Sequence, residues 1–340
     1  MTDQMQRIVL ASRPNGAPTP ENFRLESLDI PTPGKGEVLV KAEYMSLDPY
    51  MRGRMDDAKS YAAPVAVGAQ MEGGAVGEVL ISNHPDLTPG DKVLGMFGWA
   101  SHAAVPGDEL QKLDASLTPT SLALGALGMP GFTGWHGLNV HGRPKAGETL
   151  VVAAATGPVG SMVGQLAKAA GLRVVGIAGG GEKCALATNT FGFDACLDHR
   201  AYDTAQELQA ALTEICPDGI DIYFENVGGK VLEAVLPLMN RFGRIPLCGM
   251  IAWYDGAADT KLSGPGIWRT VLVKHLSING FIIANHFDQY PAFLQEVGPM
   301  VASGQVKFME DVAEGLASAP GAFMSMLKGG HSGKQVAKLA

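Results

Sequence analysis

The sequence predicts an α/β protein in which a small β-barrel-like domain precedes a doubly wound parallel sheet. Three observations predict it. Residues 149–178 read as strand, glycine turn, amphipathic helix and second strand. From about 128 to 298, strand and helix patterns alternate, as a parallel sheet with crossover helices requires. Before residue 127 the text is instead strand-like and turn-rich, punctuated by Pro33-Gly34, Pro89-Gly90-Asp91 and Pro106-Gly107-Asp108.

The chain has 340 residues, more than one simple core accommodates. Charged residues make up 18% and hydrophobic ones 46%, which excludes a disordered chain. A net charge of −8 without any basic cluster argues against a nucleic-acid surface. The first 16 residues lack the apolar core of a signal peptide, and no run is long enough to span a bilayer, so a cytoplasmic location is expected. The four cysteines (Cys184, Cys196, Cys216, Cys248) have neither CxxC spacing nor a disulfide pattern and read as small buried hydrophobes.

In chain order, β-type runs are expected at 37–43, 75–81, 92–95 and 100–105. Leu150 to Ala154 form an apolar run buried on both faces. The run breaks at Ala155-Thr156-Gly157-Pro158-Val159-Gly160. Val159, Met162, Val163, Leu166 and Ala170 then recur at helical spacing until Gly171 stops the helix. A strand follows at 172–178, a helix at 182–191 and a strand at 195–197. Thr204 and Glu207 form a capping box for a helix reaching Ile215. A strand at 220–224, a helix through Val231, Leu232, Val235, Leu236 and Met239, and strands at 243–248 and 276–283 complete the alternation. Three segments are therefore expected: 1–127, 128–298 and a return at 299–340 that packs on the first, leaving an active-site cleft between the two domains.

The glycine turn is where a dinucleotide pyrophosphate would sit. Gly157 lets the backbone approach the phosphates, Gly160 lets the helix pack close to the strand, and the helix N-terminus, opened by Pro158 and Val159, attracts the anion. Ala155 departs from the usual first glycine, and an ordinary tight turn is the competing reading. The second strand ends in Gly179-Gly180-Gly181 without the acid that bonds a ribose 2′-hydroxyl. Lys183, with His199 and Arg200 beyond the next strand, can instead meet a 2′-phosphate. NADPH is the expected cofactor.

Several stretches together narrow the reading: Asp48-Pro49-Tyr50-Met51-Arg52, Gly128-Met129-Pro130-Gly131-Phe132-Thr133-Gly134, Glu225-Asn226-Val227-Gly228-Gly229, Gly280-Phe281-Ile282 and Leu327-Lys328-Gly329. The sequence resembles, along essentially its whole length, the medium-chain dehydrogenase/reductase superfamily. It is most similar to the branch of leukotriene dehydrogenase/prostaglandin reductases, 2-alkenal reductases and bacterial curcumin reductases. The resemblance implies a GroES-like β-barrel domain, a Rossmann domain and a homodimer joined near the last strands of the latter. Zinc enzymes of the superfamily carry a cysteine and a Gly-His-Glu segment where this chain has Met45-Ser46-Leu47-Asp48 and Gln70-Met71-Glu72-Gly73. No Cys precedes residue 184, so no metal ligand set is expected.

The chemistry implied is hydride addition to the β-carbon of an enone or enal, with a tyrosine hydroxyl stabilising the enolate oxygen. Tyr254 follows the strand ending at Cys248 and is the candidate for that role. Tyr50 and Tyr61 are candidates for orienting the substrate, although packing alone would also account for both. By resemblance Thr133 is a cofactor contact, Asn226 brings an amide to the nicotinamide ribose, Gly249, Phe281 and Ile283 fall where the nicotinamide would lie, and His331 stands where relatives carry an Asn contact. Met51, Met55, Met96, Phe97, Trp99, Trp253 and Trp268 offer apolar surface around a cleft for a hydrophobic substrate; only some of them are expected to line it, and any single Met is more often core. Two other readings stay open: a quinone reductase, and a non-catalytic NADPH-binding protein.

Overall fold

The computed structural model describes residues 4–255 and 264–339. The chain divides into two compact units, one made of residues 1–128 and 310–340, the other of 129–309.

The first unit holds β1 (Gln4–Leu10), β2 (Phe23–Asp29), β3 (Glu37–Ser46), α1 (Tyr50–Arg54), β4 (Ala75–Ser82), β5 (Lys92–Gly95), β6 (His102–Pro106) and β7 (Gln111–Lys112). β1 and β2 form a separate antiparallel pair. Residues 100 and 101, expected to begin a strand, lie before β6; Ala100 is instead bridged to Arg7. Trp99, Met51, Met55 and Phe97 are buried in this unit's core, where Phe23 and Phe323 stack on and edge against Trp99. They belong to an apolar set of which only some were expected to line a cleft, any single Met being more often core. The core needs their volume and takes them inward.

The second unit begins with α2 (Met129–His136), continued as a π-helical turn at 137–142. β8 (Thr149–Ala153) is buried along its whole length. There follow α3 (Pro158–Ala169), β9 (Arg173–Ala178), α4 (Gly181–Asn189), β10 (Ala195–Asp198), α5 (Ala205–Ile215), β11 (Ile220–Phe224), α6 (Gly229–Val235), β12 (Met239–Leu247), α7 (Gly264–Lys274), β13 (Ser277–Gly280) and α8 (Tyr290–Ala302). Gly171, at φ +81°, ends α3, a conformation open to glycine at little cost. The capping box of α5 forms as its sequence requires: the Glu207 amide donates to Thr204 Oγ1 at 3.2 Å, and the Thr204 amide to Glu207 Oε2 at 3.2 Å.

The six strands run parallel in the order β10-β9-β8-β11-β12-β13. Winding goes outward from β8 on one side and from β11 on the other. The strand expected over 276–283 stops at Gly280, because the Phe281 ring turns onto His136 and His141, at 5.4 and 5.1 Å between ring centroids.

The chain then returns to the first unit with β14 (Glu310–Glu314), α9 (Ala319–Leu327) and β15 (Lys334–Lys338). β15 pairs with β3, closing a seven-strand order β14-β15-β3-β4-β5-β7, with β6 also on β3. The barrel-like sheet is thus completed by strands about 290 residues apart in sequence.

Candidate cofactor and active site

In a doubly wound sheet the crevice forms where the winding reverses, at the carboxyl ends of the two central strands. Here those strands are β8 and β11, paired as far as Val152 and Phe224. The chain leaves β8 through 154–157 into α3 and leaves β11 through 225–228 into α6.

The first exit is the glycine turn. A Cβ on Gly160 would lie 2.3 Å from the Ala154 carbonyl oxygen, so only glycine lets α3 seat this close. Gly157 caps α3 without any side-chain cap and Pro158 opens its first turn, which leaves the remaining first amides to face an anion. Ala155, where the motif usually has glycine, is buried. Its methyl fills space made by Gly176 on β9, on which a Cβ would come within 2.8 Å of it. The departure is absorbed by packing.

A cationic corner surrounds the Gly179-Gly180 turn after β9. A Cβ on Gly179 would meet Arg200 Nε at 2.8 Å and His199 Nε2 at 3.1 Å. Burial, with the charges of Lys230 and Arg200 close by and Lys183 further out, holds the His199 imidazole below its usual range. Lys230 Nζ donates to the carbonyl of His199 at 2.9 Å. Asp198 is tied down by the amides of Gly180 and Arg200, at 2.8 and 2.9 Å; these outweigh its burial and hold its carboxyl low. The structure therefore gathers Lys183, His199 and Arg200 and adds Lys230, which the sequence reading missed. Lys230 opens α6, about 30 residues further along, and only the sheet order shows that it belongs here.

Asn226, on the second exit, donates its Nδ2 to the Ala153 carbonyl at 2.8 Å, stitching the ends of the two central strands. Beyond β12, the amides of Cys248 and Gly249 both donate to the Glu225 carbonyl. Tyr254 closes the short helical turn Ile251–Trp253; its hydroxyl accepts from the Met250 amide at 3.4 Å and lies over Gly249, 3.3 Å from where a Cβ would stand. Burial and the Glu225 carboxylate push the Cys248 thiol up to about 12.

Thr133 is buried on α2, and its hydroxyl donates to the Met129 carbonyl at 2.7 Å. The Phe281 ring packs on the histidines. Ile283 starts a 3-10 turn rather than ending a strand.

In the first unit, Tyr50 opens α1, and burial together with Asp48 raises its phenol far above the usual range. Tyr61 is 60% exposed. His331 sits in the turn before β15, where the amides of Ser332 and Gly333 donate to Asp311 Oδ2 at 3.0 and 2.6 Å. Among the described residues no group of three or more His, Cys, Asp or Glu side chains could hold a metal ion.

The residues present fit a phosphorylated dinucleotide: a cradle no side chain could enter, a helix end for the pyrophosphate, and cations where the 2′-phosphate would lie.

Comparison with known proteins agrees. The N-terminal domain of oxidoreductase family matches residues 6–113, and the family described as zinc-binding dehydrogenase matches residues 158–298. The chain is 52% identical to the NADPH-dependent curcumin reductase of Escherichia coli K12, over 98% of this chain and 97% of that protein. It is 40% identical to the 2-alkenal reductase (NADP(+)-dependent) of Nicotiana tabacum, over 97% and 96%. The crystal structure of CurA from Vibrio vulnificus in complex with NADPH superposes with a TM-score of 0.93 at 48% identity, covering 98% of this chain and 99% of that one. By these measures and by its two-domain fold, the chain belongs to the medium-chain dehydrogenase/reductase superfamily, in the branch that holds the curcumin and 2-alkenal reductases.

Proposed function

We propose that the protein is an NADPH-dependent reductase of the carbon–carbon double bond of α,β-unsaturated ketones and aldehydes, with Tyr254 on the oxygen side of the reaction. The observation that carries this reading is a tyrosine hydroxyl held at the carboxyl edge of the cofactor sheet, beside Gly249. The relatives named as curcumin, 2-alkenal and prostaglandin reductases support the substrate class.

NADPH, when bound, supplies a hydride to the β-carbon of the enone. Negative charge then grows on the carbonyl oxygen, and a preorganised donor lowers the barrier most where that charge develops. The Tyr254 hydroxyl accepts from the Met250 amide, and as a phenol it is also a hydrogen-bond donor, the role it takes toward that oxygen. A proton taken from solvent at the α-carbon then yields the saturated carbonyl, the Tyr254 phenol keeping its own. Lys183, His199 and Arg200 select NADPH over NADH through the 2′-phosphate.

The protein works as a homodimer joined along β13. This strand is the edge of the six-stranded sheet, and Ile278 on it is exposed.

The test is anaerobic incubation with NADPH and a panel holding a curcumin-like dienone, a 2-alkenal and a quinone, with products identified by mass spectrometry. The saturated carbonyl is expected from the first two. An allylic alcohol as sole product, or turnover of the quinone alone, would overturn the reading. Tyr254→Phe should lower kcat for the enone by about 10²-fold, the range of one lost oxyanion donor.

A further inference from the structure

The pairing of β11 with β12 continues past the sheet. Glu225 bridges Leu247 in parallel fashion, and its amide donates to the Pro246 carbonyl at 3.0 Å. The Glu225 carbonyl then accepts from Cys248 and Gly249, at 3.0 and 3.2 Å. The carbonyl of Asn226 accepts from Ile251 at 3.3 Å, and that of Val227 from Ala252 at 3.0 Å. Three successive carbonyls, 225 to 227, thus hold the segment 248–252 that leads into Tyr254. The course of that segment follows the course of 225–227.

The Glu225 side chain sets that course. Its Oε1 accepts from the amides of Val227 and Gly228, at 2.6 and 2.9 Å, bending the chain back around its own carboxylate. Glu225 is 1% exposed; its Oε1 is held by these main-chain amides, and the buried Tyr223 hydroxyl lies beside the carboxyl. Burial pushes its carboxyl up; those amides, and after them the Tyr223 hydroxyl, pull against it. Isolating an acid this way is costly unless several donors converge on it. The bend has a second constraint. Gly228 is at φ +77°, and a Cβ there would stand 2.9 Å from the Trp253 ring, so the residue before Tyr254 rests directly on the turn.

We propose that Glu225 is a positioning residue: by holding the 225–228 turn it fixes both the Asn226 amide and the segment that presents the Tyr254 hydroxyl. This rests on the reading of Tyr254 given above. Glu225 touches neither substrate nor cofactor and acts through the backbone.

The experiment is a double-mutant cycle. E225A should lower kcat for enone reduction about tenfold with the enone KM changed less than about twofold, and in a Y254F background it should cost less than about threefold. E225Q keeps the Oε1 acceptor and should recover most of the loss. Equal factors in both backgrounds, or E225Q as impaired as E225A, would overturn the proposal. If circular dichroism shows that E225A does not fold, E225D takes its place, since shortening the side chain draws the acceptor away from the two amides while keeping the charge. If Y254F alone leaves kcat intact, the Tyr254 reading fails while Glu225 remains testable. E225A and N226A should then be non-additive in the NADPH Kd, read by nucleotide fluorescence, and additivity there would overturn it.

Discussion

At the scale of single residues, the proposed basis of the cofactor preference is a set of charges that come together only in the fold. Lys183 opens α4, whereas His199 and Arg200 follow β10, and all three converge on the Gly179-Gly180 turn. Lys183→Ala should therefore weaken NADPH binding about fivefold, roughly the 1 kcal/mol at the upper end for one partly exposed charge pair, and leave the affinity for NADH unchanged within about twofold. Fluorescence titration with both nucleotides checks this. An equal loss for the two would mean that Lys183 supports the helix rather than the 2′-phosphate. The corner also shows how far residue-level reading reaches. A missing acid and a nearby lysine were visible in the sequence, because both follow the same strand. Lys230 was not, because its contribution passes through the His199 carbonyl from a different crossover.

At the scale of elements, what was legible depended on whether the signal is local. β8, α3 and the α5 cap each carry their pattern within a dozen residues and form where that pattern places them. The 276–283 run shows the opposite. Its apolar text reads as a strand to the end, but Phe281 leaves the sheet for two imidazoles contributed by 136 and 141. β1, β2, β14 and β15 were not singled out from the sequence, since short half-buried strands are specified by the partners they find across the chain.

The same histidines give the second unit a pH dependence. His136 stacks on His286 at 4.2 Å and meets His141 at 5.3 Å, and its Nδ1 faces Gln289 Oε1 at 3.1 Å. Burial holds His136 below the ordinary imidazole value of 6.5; the Gln289 contact and Asp288 oppose this, while His286 and His141 add to it. Burial, His286 and Arg143 do the same for His141. Below pH 6.5 the unfolded chain takes up protons that the folded one refuses, so this stability is complete above that value and is lost as the pH falls. Glu225 and Glu310, whose carboxyls are raised by burial, work in the opposite direction. The urea midpoint should accordingly be lower at pH 5.5 than at 7.5, and H141Q should flatten the difference. A midpoint independent of pH in the native protein would contradict the assignment of these imidazoles as neutral.

At the scale of the whole molecule, the described residues of the second unit leave apolar surface exposed. On α7, Ile267 and Val271 pack on the sheet's core. Trp268 and Leu272, also four residues apart, stay 69% and 75% exposed, and Val273 beside them is exposed as well. A helix apolar on two faces is built to be covered on both. β13 supplies the matching feature in the sheet, an edge unpaired among the described residues, with Ile278 exposed, four residues long and without the charges or proline that usually protect such an edge. Antiparallel pairing of two copies along β13 would join the six-stranded sheets into one and bring the two α7 faces within reach of cover, which is the arrangement the homodimer proposal requires. Light scattering after gel filtration should give twice the chain mass, 35.6 kDa. Ile278→Lys combined with Leu272→Asp should give the monomer, since each places a charge that pairing would strip of water. NADPH binding should survive in that variant, because the turn, the cationic corner and Asn226 lie on the β8, β9 and β11 side of the sheet. A dimer that persists with both charges in place would move the interface elsewhere on the molecule.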